Sequence, residues 1–312
     1  MILVTGGAGY IGSHLVRRLV AAGEQVRALV RDRASVEREG RLPETGVEIV
    51  GLDVRSPAGL TQAMQGVRTV IHTVAIAIEK GGQRYEITNY QGTVNVVTAA
   101  KGAGVRRFIH LSQLGADPNL RYRFLASKGR AQAYVAASGL DWTSFRPSVV
   151  WGPEDEFANT FARLVPFTPL IFPIVGGAKS RFEPLWVEDL VTCVIKVLGD
   201  KSTFGQEYEL GGPEVLTLEQ IERRTLQAVG ARRVFVRLPL PALRLVVALM
   251  ELTLPSPPVT RSLLELLAVP NVTKTNNIAR FVPQPRAFTS ENIAPYMRLF
   301  RPAATLARYF AR

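Results

Sequence analysis

Thr5-Gly6-Gly7-Ala8-Gly9-Tyr10-Ile11-Gly12 holds two overlapping glycine spacings: Gly-x-Gly-x-x-Gly through Gly7, Gly9 and Gly12, and Thr-Gly-x-x-Gly-x-x-Gly through Gly6, Gly9 and Gly12. An apolar run, Ile2 to Val4, leads into it and an amphipathic stretch follows. A turn without side chains lets backbone N–H groups approach a pyrophosphate, and the start of a helix behind it adds partial positive charge. A third glycine lets that helix pack closely on the strand. The chemistry expected here is dinucleotide binding, an ordinary glycine turn being the alternative. A second apolar run, Val26 to Val30, ends on Arg31, with Arg33 two residues on. Chains that select NAD usually place Asp or Glu there for the ribose hydroxyls, whereas a guanidinium suits a 2′-phosphate. NADP(H) is therefore favoured over NAD(H), with Asp32 keeping NAD(H) open.

Holding these residues in place requires repeated β-α units. Apolar runs alternate with amphipathic stretches through the first half, the pattern of a doubly wound parallel sheet. Strands are expected at Ile2–Val4, Val26–Val30, Val47–Leu52, Thr69–Val74, Arg107–Leu111 and Asp141–Phe145. Helices are expected at Tyr10–Ala22, Pro57–Gln65, Asn89–Lys101 and Ser127–Ser138. Later come a helix at Glu188–Leu198, a strand at Gln206–Leu210 and a very apolar helix at Pro239–Leu254. Prolines cluster at 166, 169 and 173 and again at 255, 257 and 258. The expected domains are residues 1–155, binding the dinucleotide, and a smaller 156–312, from which a segment near 184–212 returns to the first.

The chain has 312 residues, 47% hydrophobic and 21% charged, enough to bury a core and inconsistent with disorder. Cys193 is the only cysteine, which excludes an intrachain disulfide and a multi-cysteine zinc site. His14, His72 and His110 pair with no Cys or second His at metal spacing, so no metal is expected. The opening residues read as a core strand rather than a signal peptide, and the expected location is the cytoplasm. Net charge is +12, and from Val229 to Arg312 there are 12 basic residues against 3 acidic ones. That asymmetry suits an anionic partner, an arginine-rich composition being the plain alternative. No aromatic-interleaved basic motif points to nucleic acid.

Thr5 to Gly12 resembles the short-chain dehydrogenase/reductase superfamily in its extended or atypical branch, close to NAD-dependent epimerases and dehydratases. Further segments carry the resemblance in order along nearly the whole chain: Gly51-Leu52-Asp53-Val54, Val70-Ile71-His72-Thr73-Val74-Ala75, Asn89-Tyr90-Gln91-Gly92-Thr93, Arg146-Pro147-Ser148-Val149-Val150-Trp151-Gly152-Pro153 and Trp186-Val187-Glu188-Asp189-Leu190. It implies a Rossmann-type domain. It also implies cofactor contacts from Gly6, Gly7, Ala8, Gly9, Tyr10, Ile11, Gly12, Arg31, Arg33, Asp53, Val54, Thr73, Val74, Ala75, Leu111, Ser112, Lys128, Pro147, Ser148 and Val149. The family's reaction uses a Tyr to pass a proton, a Lys four residues later to lower that Tyr's pKa and hold the ribose, and a Ser to orient the carbonyl. Lys128 fits the Lys position, but Phe124 stands where the Tyr belongs and Gln113 where the Ser belongs. Ser112 lies one residue early and Tyr122 two residues off register. A phenyl ring has no proton to give, so catalysis is expected either to be degraded or to use Tyr122 or a bound water.

The C-terminal half resembles the nucleotide-binding accessory subunit of respiratory complex I and its bacterial relatives, through Tyr208-Glu209-Leu210-Gly211-Gly212-Pro213, Leu238-Pro239-Leu240-Pro241 and Pro257-Pro258-Val259-Thr260-Arg261. The resemblance implies NADPH binding without a clear turnover role, in support of assembly or stability of a membrane-associated complex. The expected partners are such a complex or an anionic membrane surface at the inner face of the plasma membrane. The alternative is an active NAD(P)-dependent oxidoreductase or epimerase on a sugar nucleotide, isoprenoid or quinone-like substrate.

Overall fold

In the computed structural model, residues 1–79, 81–176, 180–253 and 269–297 are described. They divide into two units, the first built from 1–147, 187–210 and 275–284, the second from the rest. The first segment of the first unit ends at Pro147, ahead of the 155 expected from sequence, because the next strand, Val150–Trp151, pairs with Leu185–Trp186 and not with the main sheet.

The first unit holds β1 (Ile2–Thr5), β2 (Val26–Val30), β3 (Val47–Gly51), β4 (Thr69–His72), β5 (Arg107–Leu111) and β6 (Asp141–Pro147). With Gln206–Leu210 they make one seven-stranded sheet in the order Gln206–Leu210, β6, β5, β4, β1, β2, β3. Every pairing is parallel. This is a Rossmann-like sheet, and the strand order reverses beside β1, where ligands bind in such sheets. Ile2, Leu3, Val4, Val70 and Ile71 are fully buried, as strands covered on both faces require.

Helices α1 (Tyr10–Ala21), α2 (Arg33–Glu39), α3 (Leu60–Ala63), α4 (Gly92–Gly102) and α5 (Arg123–Ala136) connect the strands. The short α2 was not expected; Asp32 starts it by accepting the Ser35 N–H at 3.0 Å, an N-cap legible in Asp-x-x-Ser. β4 stops at His72 rather than Val74 because Thr73 turns its hydroxyl to the Thr5 carbonyl at 2.7 Å. The helix expected from Asn89 starts earlier, as a π-helical turn over Glu86–Gln91 that runs into α4. α5 starts at Arg123, four residues before the expected Ser127, so Phe124 and Lys128 lie on one helix.

The second unit has its own aromatic core, with Trp151, Phe172, Phe182 and Phe288 at most 1% exposed. The helix Leu218–Ala228 begins with a reciprocal cap between Thr217 and Gln220. The apolar helix expected at Pro239–Leu254 spans Leu240–Thr253. Its last expected residue, the Pro-rich break at 255–258 and the Leu-rich 263–267 lie outside the described residues. No helix among the described residues is long and apolar enough to cross a membrane.

Candidate functional site

The glycine loop is fixed by backbone geometry. Gly6 and Gly7 donate N–H groups to the Leu29 carbonyl at 3.0 and 3.2 Å, and Gly9 donates to the Gly6 carbonyl at 2.9 Å. Gly6 has φ +69°, and a Cβ there would stand 2.9 Å from Thr73 Oγ1. At Gly12 a Cβ would fall 2.1 Å from the Gly6 carbonyl oxygen, so only glycine lets α1 start this close to the loop. The helix begins at Gly9 with no side-chain cap and no acidic residue in its first turn. Its N–H groups and dipole are therefore directed at the loop mouth, where an anion fits. Ala8, Tyr10 and Ile11 are half-buried and Gly9 is exposed, leaving that backbone reachable.

At the end of β2, Arg31 is exposed, and its charge helps hold the Asp53 carboxyl below its ordinary range. The larger cause is Arg55, whose guanidinium bonds Asp53 at 2.6 to 3.0 Å. Arg33 opens α2 and donates to Glu37 at 2.7 Å, so it is engaged within its own helix while Arg31 is not held by Glu37. Val54 is buried, and its carbonyl accepts Asn95 Nδ2 at 2.9 Å.

A polar file crosses the middle of the sheet. Thr5 pairs in register with His72, His72 with His110, and His110 with Ser144, and all four are fully buried. His72 Nδ1 lies 2.7 Å from Thr5 Oγ1 and its Nε2 lies 3.0 Å from Thr93 Oγ1. Thr93 donates to the Asn89 carbonyl at 2.7 Å. Asn89 binds the Ile76 backbone on both sides, accepting its N–H at 2.8 Å and donating to its carbonyl at 3.2 Å, and it also reaches Ser127. Both ring nitrogens of His110, with Ser112 Oγ and Ser144 Oγ, are buried without a protein partner. Sequence reasoning read His72 and His110 only as unsuited to metal ligation, in packing or solvent contact, and left Asn89 and Thr93 out of the site. The missed signal was a polar residue at matching register on successive parallel strands.

Lys128 is 3% exposed and donates to the Leu111 carbonyl at 2.6 Å. Burial pulls its pKa down to about 7. Burial, followed by the Lys128 charge, pulls His72 down to about 3, and the same two causes with His72 hold His110 well below its ordinary value. Phe124 precedes Lys128 by one helical turn on the same face of α5. Its ring meets Tyr85 edge-on at 5.7 Å between centroids. Tyr122 sits before the helix with extended backbone, and its hydroxyl accepts from Arg121 at 3.2 Å. Ser112, adjacent to the carbonyl that holds Lys128, is 5% exposed, while Gln113 is only half-buried.

Thr73 and Val74 line Gly6, and Ala75 is exposed beside them. Pro147 ends β6 and its carbonyl accepts the Leu114 N–H at 3.0 Å. Ser148 and Val149 belong to the second unit, where the Ser148 hydroxyl and the Val149 N–H both donate to Asn271 Oδ1, at 2.7 and 2.9 Å. His14 Nδ1 lies 2.5 Å from Glu188 Oε1, tying α1 to the helix Val187–Lys196. The residues present fit a dinucleotide: a side-chain-free cradle, an uncapped helix start, and on α5 a buried lysine for a ribose.

A family model described as NAD(P)H-binding matches residues 6–160. The alpha subcomplex subunit 9 of mitochondrial NADH dehydrogenase [ubiquinone] 1 from Arabidopsis thaliana is 28% identical over 76% of this chain. The chain spans 60% of that relative's length. Sterol demethylase protein B of Methylococcus capsulatus is 30% identical, over 70% of this chain and 71% of the relative. Among solved structures, UDP-glucuronic acid 4-epimerase from Bacillus cereus superposes with a TM-score of 0.71 at 17% identity, covering 95% of this chain and 98% of that one. That likeness is one of fold. The glycine cradle, the all-parallel sheet and these relatives agree: the chain belongs to the NAD(P)H-binding family.

Proposed function

We propose that the chain binds NADP(H) in preference to NAD(H) and acts chiefly by docking, in support of the assembly or stability of a membrane-associated complex at the inner face of the plasma membrane. Phe124 carries this reading. The Phe124 ring, one turn before Lys128 on α5, has no ionisable hydrogen, and the nearest tyrosine hydroxyl in sequence, Tyr122, is bonded by Arg121. General acid–base help is typically worth about 10²–10⁴-fold, so its loss leaves hydride transfer to a carbonyl slow. The bound nucleotide would supply hydride chemistry; the chain's own residues cradle its phosphates at Gly6–Gly12 and meet its ribose with Lys128. Arg31 favours the 2′-phosphate. The plant complex I subunit named above supports the docking role. Purified protein is expected to bind NADPH stoichiometrically yet oxidise it no faster with a panel of ketones, aldehydes and quinones than without them. An ordinary enzymatic rate with any of them would sink the reading.

A second reading, an active oxidoreductase or epimerase on a sugar nucleotide, isoprenoid or quinone-like substrate, is favoured by Lys128. Its pKa near 7 and the buried Ser112 hydroxyl beside it suit proton transfer through a water. Under this reading Lys128→Ala abolishes activity while nucleotide binding weakens.

A further inference from the structure

The helix Leu240–Thr253 is apolar on two opposite sides. Leu243 and Val247 are 8% and 2% exposed and face the strands Ile171–Gly176 and Val234–Pro239 of its own unit. Leu245 and Leu252, two turns apart and on the far side, are 65% and 83% exposed, and Val246 beside them 43%. Burial of one stripe accounts for an ordinary surface helix, and a second stripe does not belong in water. The two strands pair in parallel with Val234 opposite Ile171. Their starting ends expose Leu170, Ile171 and Val234 at 76%, 53% and 66%. The helix follows the second strand directly and lies back over it. The helix, about 21 Å long, packs on both strands, each about 20 Å long. Seven of the eleven large hydrophobic side chains exposed among the described residues belong to this helix, its two strands and the residue before the first strand, which makes them a patch rather than scatter.

Charge selects the occupant. Arg232 immediately precedes Arg233 and Val234, and exposed Arg244 precedes Leu245; Arg233 donates to the Thr168 carbonyl at 2.5 Å, and the exposed Arg237 pairs with Glu219 at 3.1 Å. Within the helix the only acidic residue is Glu251, and from Val229 to the last residue basic groups outnumber acidic ones 12 to 3. A helix of 14 residues is short of the roughly 20 that cross a bilayer, so it must lie in the plane of one. An apolar stripe edged by arginines matches the boundary between acyl chains and anionic headgroups. We infer that the helix Leu240–Thr253, with the starting ends of its two strands, docks on an anionic phospholipid surface. This deepens the membrane-associated reading above by naming the partner as lipid and the face that meets it.

The test is flotation of the full chain with vesicles of phosphatidylcholine containing phosphatidylglycerol, against pure phosphatidylcholine. The wild type is expected to partition at least about tenfold more onto the anionic vesicles and to be released by salt, as screened arginine contacts require. L245E/L252E is expected to lose binding by about tenfold or more, since charge is costly below the headgroups. Arg232→Gln/Arg244→Gln, which leaves the apolar stripe intact, is expected to erase the preference for anionic lipid. NADPH titration of both variants should match wild type, which establishes that they fold. Equal partitioning of wild type and L245E/L252E, or no partitioning at all, overturns the inference. So does a dimer, seen by light scattering, that L245E/L252E converts to monomer, because the face would then belong to a second copy. A failure of NADPH binding with vesicle binding intact would instead sink the cofactor reading and leave the docking face standing.

Discussion

His72 and His110 stack at the centre of the sheet, with ring centroids 5.6 Å apart and planes 14° from parallel. Two imidazoles cannot share that space as cations, and their burial already disfavours the charged form. The ordinary value for each is 6.5, and His72 is pulled down to about 3. Neither ring should therefore become protonated between pH 5 and 8, which imidazole chemical shifts from labelled histidine will read. The linked stability has a definite sign. The unfolded chain takes up protons below about 6.5 while these rings do not, so stability falls as pH drops through that point. His110→Phe is expected to flatten this acid limb; a limb unchanged in slope would contradict the assignment.

Gly12 tolerates no side chain, since a Cβ would sit 2.1 Å from the Gly6 carbonyl oxygen. Gly12→Ala must either move α1 or displace the loop. A loss of about 2 kcal/mol or more in chemical denaturation is expected, with nucleotide affinity falling at least about tenfold. An alanine variant with native affinity would mean that the loop does not hold the ligand.

Phe124 offers a gain-of-function test. Phe124→Tyr places a hydroxyl one turn before Lys128, whose ammonium, charged below its pKa of about 7, would lower that of a phenol. NADPH oxidation with a reducible carbonyl is expected to rise by about 10²-fold, the lower end of general-acid help. If wild type is already as fast as the variant, the phenyl ring is not what limits turnover.

Glu222 is a buried carboxyl whose Oε2 has no partner. Burial first and Glu219 second push its pKa up to about 8 from 4.5. The native state thus holds a proton that the unfolded chain releases, and stability declines as pH rises from 4.5 to 8. Glu222→Gln removes that decline. Relative to wild type, the variant should gain about 1–3 kcal/mol between pH 5 and pH 9 in urea melts. A constant difference across that range would contradict it.

Much of the nucleotide half was legible because its signals are local. A glycine turn between strand and helix, and apolar runs of strand length, are read within a dozen residues. The ends of elements were less so. α5 starts four residues before Ser127 because Tyr122 supplies an extended residue ahead of Arg123, a preference its side chain does not advertise. The π-helical turn at Glu86–Gln91 owes its form to packing, with Asn89 clasping the Ile76 backbone. The polar file through Thr5, His72, His110 and Ser144 depends on register among strands distant in sequence, and one chain read alone does not supply register. The exposure of Leu245 and Leu252 was equally hidden, because periodicity marks an apolar helix without saying which side is covered.

The proposed preference for NADPH depends on Arg31, whose guanidinium suits a 2′-phosphate. Fluorescence titration of NADPH and NADH against wild type and Arg31→Asp tests this most directly. Saturable binding of NADPH is expected, about tenfold tighter than NADH, with the order reversed in the variant, as the loss of one charge-assisted phosphate contact implies. Failure of the wild type to bind either nucleotide would contradict the account.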